Sequence, residues 1–159
     1  MLSREDNELI TRTSSGTPMG NLMRRYWIPA LLSEEIPAPN CSPVRVKILS
    51  EELVAFRDTQ GRIGLIGEHC AHRGTSLFFG RNEACGLRCI YHGWKYDVEG
   101  NVLETPAEPV GSDFRHKLRH TAYPSREANG VIYAYLGPPA KMPLLPNYEW
   151  TRVPLEYTY

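Results

Sequence analysis

A chain of 159 residues with 18 basic and 18 acidic side chains has no net charge to draw it onto nucleic acid or an anionic membrane surface. Its 42% hydrophobic content and modest length suit one domain with a proper core, not two. No apolar run approaches the length of a bilayer span, and Met1-Leu2-Ser3-Arg4-Glu5-Asp6 lacks the basic-then-apolar start of a signal peptide, so a cytoplasmic location is expected.

Ser3, with Asp6 three positions on and Leu9 and Ile10 following, predicts a short helix over 3–11. Thr17-Pro18 opens a second short helical stretch, in which Leu22, Met23, Tyr26 and Trp27 are spaced to share a face packed against the domain. Pro37-Ala38-Pro39-Asn40 is a loop, and residues 1–40 together read as an N-terminal extension. At Val44 the period changes. Val44, Val46 and Ile48 alternate with Arg45 and Lys47, predicting a half-buried strand. Strands over 53–57 and 62–66 follow, joined by a turn at 58–61, and they deliver the chain to His69-Cys70. Residues 86–90 and 95–98 read as strands either side of Tyr91-His92-Gly93-Trp94, with a turn at 99–101. A final hairpin is expected from 118–123 and 131–136 around Asn129-Gly130.

The proline-rich run 137–146 cannot continue a central strand and reads as a boundary or extended linker. The predicted fold is all-β and antiparallel over 41–140, with a small lobe at 67–97 inserted between hairpins of a larger base. Residues 141–159 are expected to be a linker and the start of a further domain.

Metal-ligating residues concentrate in one stretch. Cys70-Ala71-His72-Arg73-Gly74 and Cys89-Ile90-Tyr91-His92-Gly93-Trp94 each offer one thiolate and one imidazole. Two of each suit tetrahedral zinc or one kind of iron-sulfur centre. Zinc fingers usually pair Cys with Cys and His with His along the chain, whereas here each loop is mixed. In a Rieske 2Fe-2S centre one iron takes two cysteines and the other two histidines, so two facing loops must each supply one ligand to each iron. Gly74 and Gly93 let the backbone approach such a cluster and turn N–H groups toward its sulfurs. Of the other cysteines, Cys41 has no framework spacing, and Cys85 lies four before Cys89 without the distance to His92 that Cys89 has.

These residues resemble the Rieske motif of the ring-hydroxylating and demethylating non-haem iron oxygenases, particularly the phthalate dioxygenase-like group. The likeness extends to Pro18-Met19-Gly20, to Arg24-Arg25-Tyr26-Trp27 with Pro29, to Tyr96-Asp97 and to the run 129–137, nearly the whole chain. It implies a Rieske-type 2Fe-2S cluster bound by Cys70, His72, Cys89 and His92. Arg73, Gly74, Gly93 and Trp94 stand around those ligands. Trp94 and Tyr96 are expected to shield the cluster, and Arg73 either orients a partner's carboxylate or pairs with a local acid.

A one-electron carrier follows from such a cluster, with the half of each imidazole that faces away from iron as the electron's exit. High-potential respiratory members carry an extra cysteine in each loop and a serine after the second Cys-x-x-His-Gly; here those positions hold Thr75, Tyr91 and Trp94. Fewer polar donors predict a potential nearer about −150 mV than about +300 mV.

In the resembling oxygenases the electron passes from a reductase or ferredoxin, through the cluster, to a mononuclear Fe(II) in a catalytic domain, often of the neighbouring subunit in a homotrimer. There oxygen is activated to hydroxylate an aromatic ring. Such an iron needs two histidines and a carboxylate. The chain has five histidines; His69 reads as a packing neighbour of Cys70, and His116 and His120 as surface or strand residues. A catalytic domain is therefore expected to lie outside these 159 residues, which would not hydroxylate by themselves. A free-standing Rieske ferredoxin and a structural zinc module remain the alternatives.

Overall fold

The computed structural model describes residues 1–109 and 111–157. Ser3 caps helix α1 (Arg4–Thr11), its hydroxyl accepting from the Asp6 N–H, and Thr17 caps α2 (Pro18–Met23) in the same way at Gly20. Among the described residues, ten strands then form three antiparallel sheets. The first is β1 (Trp27–Leu32), β10 (Val131–Tyr135) and β9 (Ser125–Ala128), in that order. β2 (Val44–Ile48), β3 (Glu51–Arg57) and β4 (Ile63–Gly67) make the second. β5 (Arg81–Glu83), β6 (Gly86–Arg88), β7 (Lys95–Tyr96) and β8 (Val102–Glu104) make the third, the framework of the lobe.

The middle sheet is a wall between two cores. Leu53 to Phe56 are all buried because β3 is covered on both faces. Leu53, Ala55 and Leu65 join Val46, Ile48, Ile132 and Ala134 in an aliphatic core on the base side. Val54, Phe56 and Ile66 turn the other way, toward Leu77, Leu87, Trp94, Tyr96 and the two cysteines Cys70 and Cys89. The Phe56 ring lies over Gly64, its register partner, leaving no room there for a Cβ.

Several elements depart from the sequence reading. Trp27 does not extend the second helix but opens β1; Leu22, Met23 and Tyr26 are exposed rather than packed on the domain. β1 is an edge strand, which is why Pro29 is tolerated in it. The final hairpin pairs β10 with β9, not with 118–123. Residues 118–123 form only isolated bridges, Arg119 to Asn101 and Ala122 to Ile66, crossing from the lobe to the base. Strands β5 and β8 were not anticipated; each has three residues, too few to show a period. Of the proline-rich run, Pro143 accepts from the Trp27 indole N–H, and Leu145 packs beside Trp27, Tyr133 and Tyr135. No helix among the described residues is long and apolar enough to cross a membrane.

Candidate metal centre

The two loops turn out to be one turn used twice. In the first, the Gly74 N–H donates to the Cys70 carbonyl (2.8 Å) and the Cys70 N–H to the Thr75 carbonyl (2.9 Å). In the second, the Gly93 N–H donates to the Cys89 carbonyl (3.1 Å) and the Cys89 N–H to the Trp94 carbonyl (2.8 Å). Each turn runs from a cysteine to a glycine four residues on, and Gly74 and Gly93 both sit at positive φ (69° and 74°), where a side chain is strained. Histidine occupies the third position of the first turn and the fourth of the second, so the mixed spacing is laid on a common backbone.

Although each loop is mixed in sequence, the fold sorts the donors by kind. Cys70 and Cys89 are both buried, with their thiols in mutual range. The rings of His72 and His92 lie 4.6 Å apart in an edge-to-face pair, both half-buried. The four donors thus stand as one thiol pair and one imidazole pair.

Burial pushes the Cys89 thiol up and Cys70 adds to the rise, while backbone N–H groups of Tyr91 and His92 point at its sulfur and oppose it. Desolvation and the neighbouring His72 and Arg73 push His92 below the usual imidazole value, keeping it neutral. The His72 Nδ1 is buried and has no hydrogen-bond partner. An orphaned ring nitrogen beside its imidazole pair, together with two buried thiols, fits a centre that takes two sulfurs at one iron and two nitrogens at the other.

The surrounding side chains hold this arrangement. Trp94, buried, stacks on His72 with ring centres 4.7 Å apart and planes 3° from parallel. Tyr91 covers His92 at 3.8 Å but is itself exposed, as is Ile90. The Tyr96 hydroxyl accepts from the Ala71 N–H (3.2 Å) and lies 3.1 Å from the Cys70 sulfur. Burial pushes the Tyr96 phenol up, so it keeps its proton and can donate to a thiolate. Beyond the shielding expected of it, Tyr96 at the end of β7 reaches Cys70 in the first ligand turn, a contact that leaves no trace in spacing. His120, expected at the surface or in a strand, is buried, donates from Nε2 to the Gly67 carbonyl (2.8 Å) and packs on Tyr96.

Other residues stand apart from the pairs. Cys85 is in the β5–β6 turn, at the far end of β6 from Cys89. His69 is exposed, with Nδ1 3.2 Å from the Gly74 carbonyl and Nε2 3.3 Å from Glu52 Oε2. His116, exposed, lies beside Arg115. Arg73 is exposed and makes no ion pair among the described residues, so the local acid is not found.

Comparison with known proteins gives the same reading. The Rieske [2Fe-2S] domain profile matches residues 26–122. The chain is 50% identical over 143 residues to the phthalate 4,5-dioxygenase oxygenase subunit of Pseudomonas putida, covering 90% of this chain and 33% of that protein. It is 46% identical over 154 residues to the 3-chlorobenzoate-3,4-dioxygenase oxygenase subunit of Comamonas testosteroni, covering 97% and 35%. A crystal structure of dicamba monooxygenase bound to dicamba superposes with a TM-score of 0.69 at 26% identity, over 82% of this chain and 41% of that one. The chain thus spans about a third of the length of the curated relatives it matches. With the motif, the antiparallel fold and the profile in agreement, the chain belongs to the Rieske [2Fe-2S] domain family.

Proposed function

We propose that Cys70 and Cys89 hold one iron and His72 and His92 the other iron of a Rieske-type 2Fe-2S cluster, and that the domain relays electrons to a ring-hydroxylating oxygenase site. The observation that carries this reading is the sorting of two mixed loops into a buried thiol pair and an imidazole pair, with the His72 Nδ1 left unpartnered. When bound, such a cluster accepts and releases one electron.

The chain's own residues have separable tasks here. The Trp94 ring, with Leu77 and Leu87, excludes water from the sulfur side. Tyr96 keeps its proton on the phenol oxygen and points it at the Cys70 sulfur, a hydrogen bond that favours the more negative state. The half-buried imidazoles, flanked by exposed Ile90 and Tyr91, form the edge open to a partner. Trp94 in place of a serine donor supports a potential toward the low end of the class; a midpoint above zero would overturn that part.

The electron donor on this reading is a reductase or ferredoxin. The acceptor is the mononuclear iron of a catalytic domain, in a homotrimer the neighbour's, with residues 41–140 as the Rieske domain, 1–40 as its extension and 141–159 leading onward. The related phthalate and chlorobenzoate dioxygenase subunits support an aromatic substrate. The test is the visible and EPR spectrum of the purified chain before and after dithionite, with iron and sulfide assayed together. Two irons and two sulfides per chain with a low-average-g reduced signal are expected; a colourless zinc protein would overturn the reading.

A further inference from the structure

Arg88 is the residue immediately before Cys89, and its side chain is 17% exposed. All three guanidinium nitrogens are engaged, each with a different element. Nε donates to Glu83 Oε1 on β5 (2.6 Å), Nη2 to Glu104 Oε2 on β8 (2.8 Å) and Nη1 to the Gly93 carbonyl in the second loop (2.9 Å). The other Glu104 oxygen takes the buried Lys95 ammonium of β7 at 2.9 Å. Each strand of the lobe sheet supplies a member, and Arg81 of β5 adds a looser contact to the other Glu83 oxygen (3.7 Å), so three bases meet two acids. Geometry is what Arg88 contributes, because its three bonds run to three separate places in the lobe.

Gly93 lies between His92 and Trp94, and the Trp94 ring is the one stacked on His72. We infer that Arg88 is a positioning residue for the cluster site, fixing the Gly93 carbonyl and through it both the His92 imidazole and the Trp94 ring that sets His72. The inference rests on the cluster reading proposed above. Arginine is needed because three acceptors in different directions call for a planar, three-way donor, which a lysine's point charge does not supply. Arg57 serves as an internal control. In the base it makes a similar three-way set, to the carbonyls of Ile36 and Gly61 and to Glu127, with a side chain 14% exposed.

The experiment compares Arg88→Met, Arg88→Lys, Glu83→Gln and Arg57→Met in the reconstituted 159-residue chain. It reads the EPR g-values, the rate of iron loss to a chelator and, in metal-free protein, the NMR shifts of the Gly93 amide and Trp94 indole N–H. Both Arg88 variants should move the g-values and release iron about tenfold faster, the lower end of what a lost outer partner costs a metal site. Glu83→Gln, at a more exposed position, should move the same signals less and in the same direction. Arg57→Met should lower the melting temperature and leave the spectrum alone. Folded Arg88 variants with unchanged g-values and iron release overturn the inference, as does an Arg57 variant that moves them equally. Should Arg88→Met not fold, unchanged signals in Glu83→Gln overturn it. A wild-type chain without the Rieske signal overturns the cluster reading and this inference with it; a wild-type signal unmoved in the variants overturns this inference alone.

Discussion

The two cores on either side of β3 are built on different principles. The base core is aliphatic throughout, from Leu31 and Ile36 to Ile132 and Leu136, and needs nothing but its own packing. The lobe core surrounds two thiols and two polar-tipped rings, Cys70, Cys89, Trp94 and Tyr96, and its sheet is tied by the Arg88 and Lys95 ion pairs. Both are equally buried, yet only one is complete without a bound group.

The largest expected effect breaks the base. Ile132 is fully buried in it, and Ile132→Ala should cost about 2–5 kcal/mol in a denaturant melt, while the spectrum of the still-folded protein stays unchanged. A spectral change at low denaturant would mean that the two cores are not separable. Next, chelating the metal should loosen the lobe selectively. A group bound at a hundred times its dissociation constant contributes about 2.7 kcal/mol, so hydrogen exchange at Leu87 and Tyr96 should rise by about a hundredfold while β10 is spared. Equal acceleration at Ile132 and Leu87 would make the protein one cooperative unit.

The seam between the cores can be probed with pH. His120 bridges them, bonded to Gly67 at the end of β4 and packed on Tyr96, and burial holds its pKa below the ordinary 6.5. Below about pH 6.5 the unfolded chain takes up a proton that the folded one refuses. Stability should therefore be full above that pH and fall as pH drops toward the folded value, by at most about 1.4 kcal/mol per unit. His120→Asn should flatten that stretch of the profile; an unchanged slope would assign it to other groups. The smallest effect is electronic. Tyr96→Phe removes a donor worth about 1 kcal/mol, so the midpoint should fall by about 40 mV, read by redox titration. No shift would mean that the hydroxyl serves Ala71 alone.

How much of this was legible beforehand depended on distance along the chain. The alternation of Val44 to Ile48 and the Asn129-Gly130 turn are local, and that strand and that turn lie where the sequence puts them. Residues 118–123 alternate as well, but they change partner midway, bonding to Gly100 at His120 and to Leu65 at Tyr123, and so never build a ladder. β1 was hidden by Pro29 and by a register shift between Pro29 and Leu31 that breaks any period. At the site, the four candidate ligands stand out by type and spacing. The common turn beneath them, from cysteine to glycine at the fourth residue, was also present in the sequence but masked by the shifted histidine. The meetings of Tyr96 with Cys70 and of Arg88 with Gly93 depend on how the two ligand turns fold against the lobe sheet, and no pattern in one strand announces them.

A strand that is apolar on both faces has lost the usual safeguard against misalignment. Elsewhere, a slip by one residue would turn polar side chains inward and be rejected. Sliding β3 by one would merely exchange Leu53 and Ala55 for Val54 and Phe56 between the cores, with little hydrophobic penalty. Fidelity must come from shape, and it does: Phe56 fits only opposite Gly64, and the β2–β3 turn is held at Leu49, whose carbonyl accepts from the buried Arg24 at 3.0 Å. The sheet that divides the molecule is thus kept in frame by one missing side chain and one buried cation.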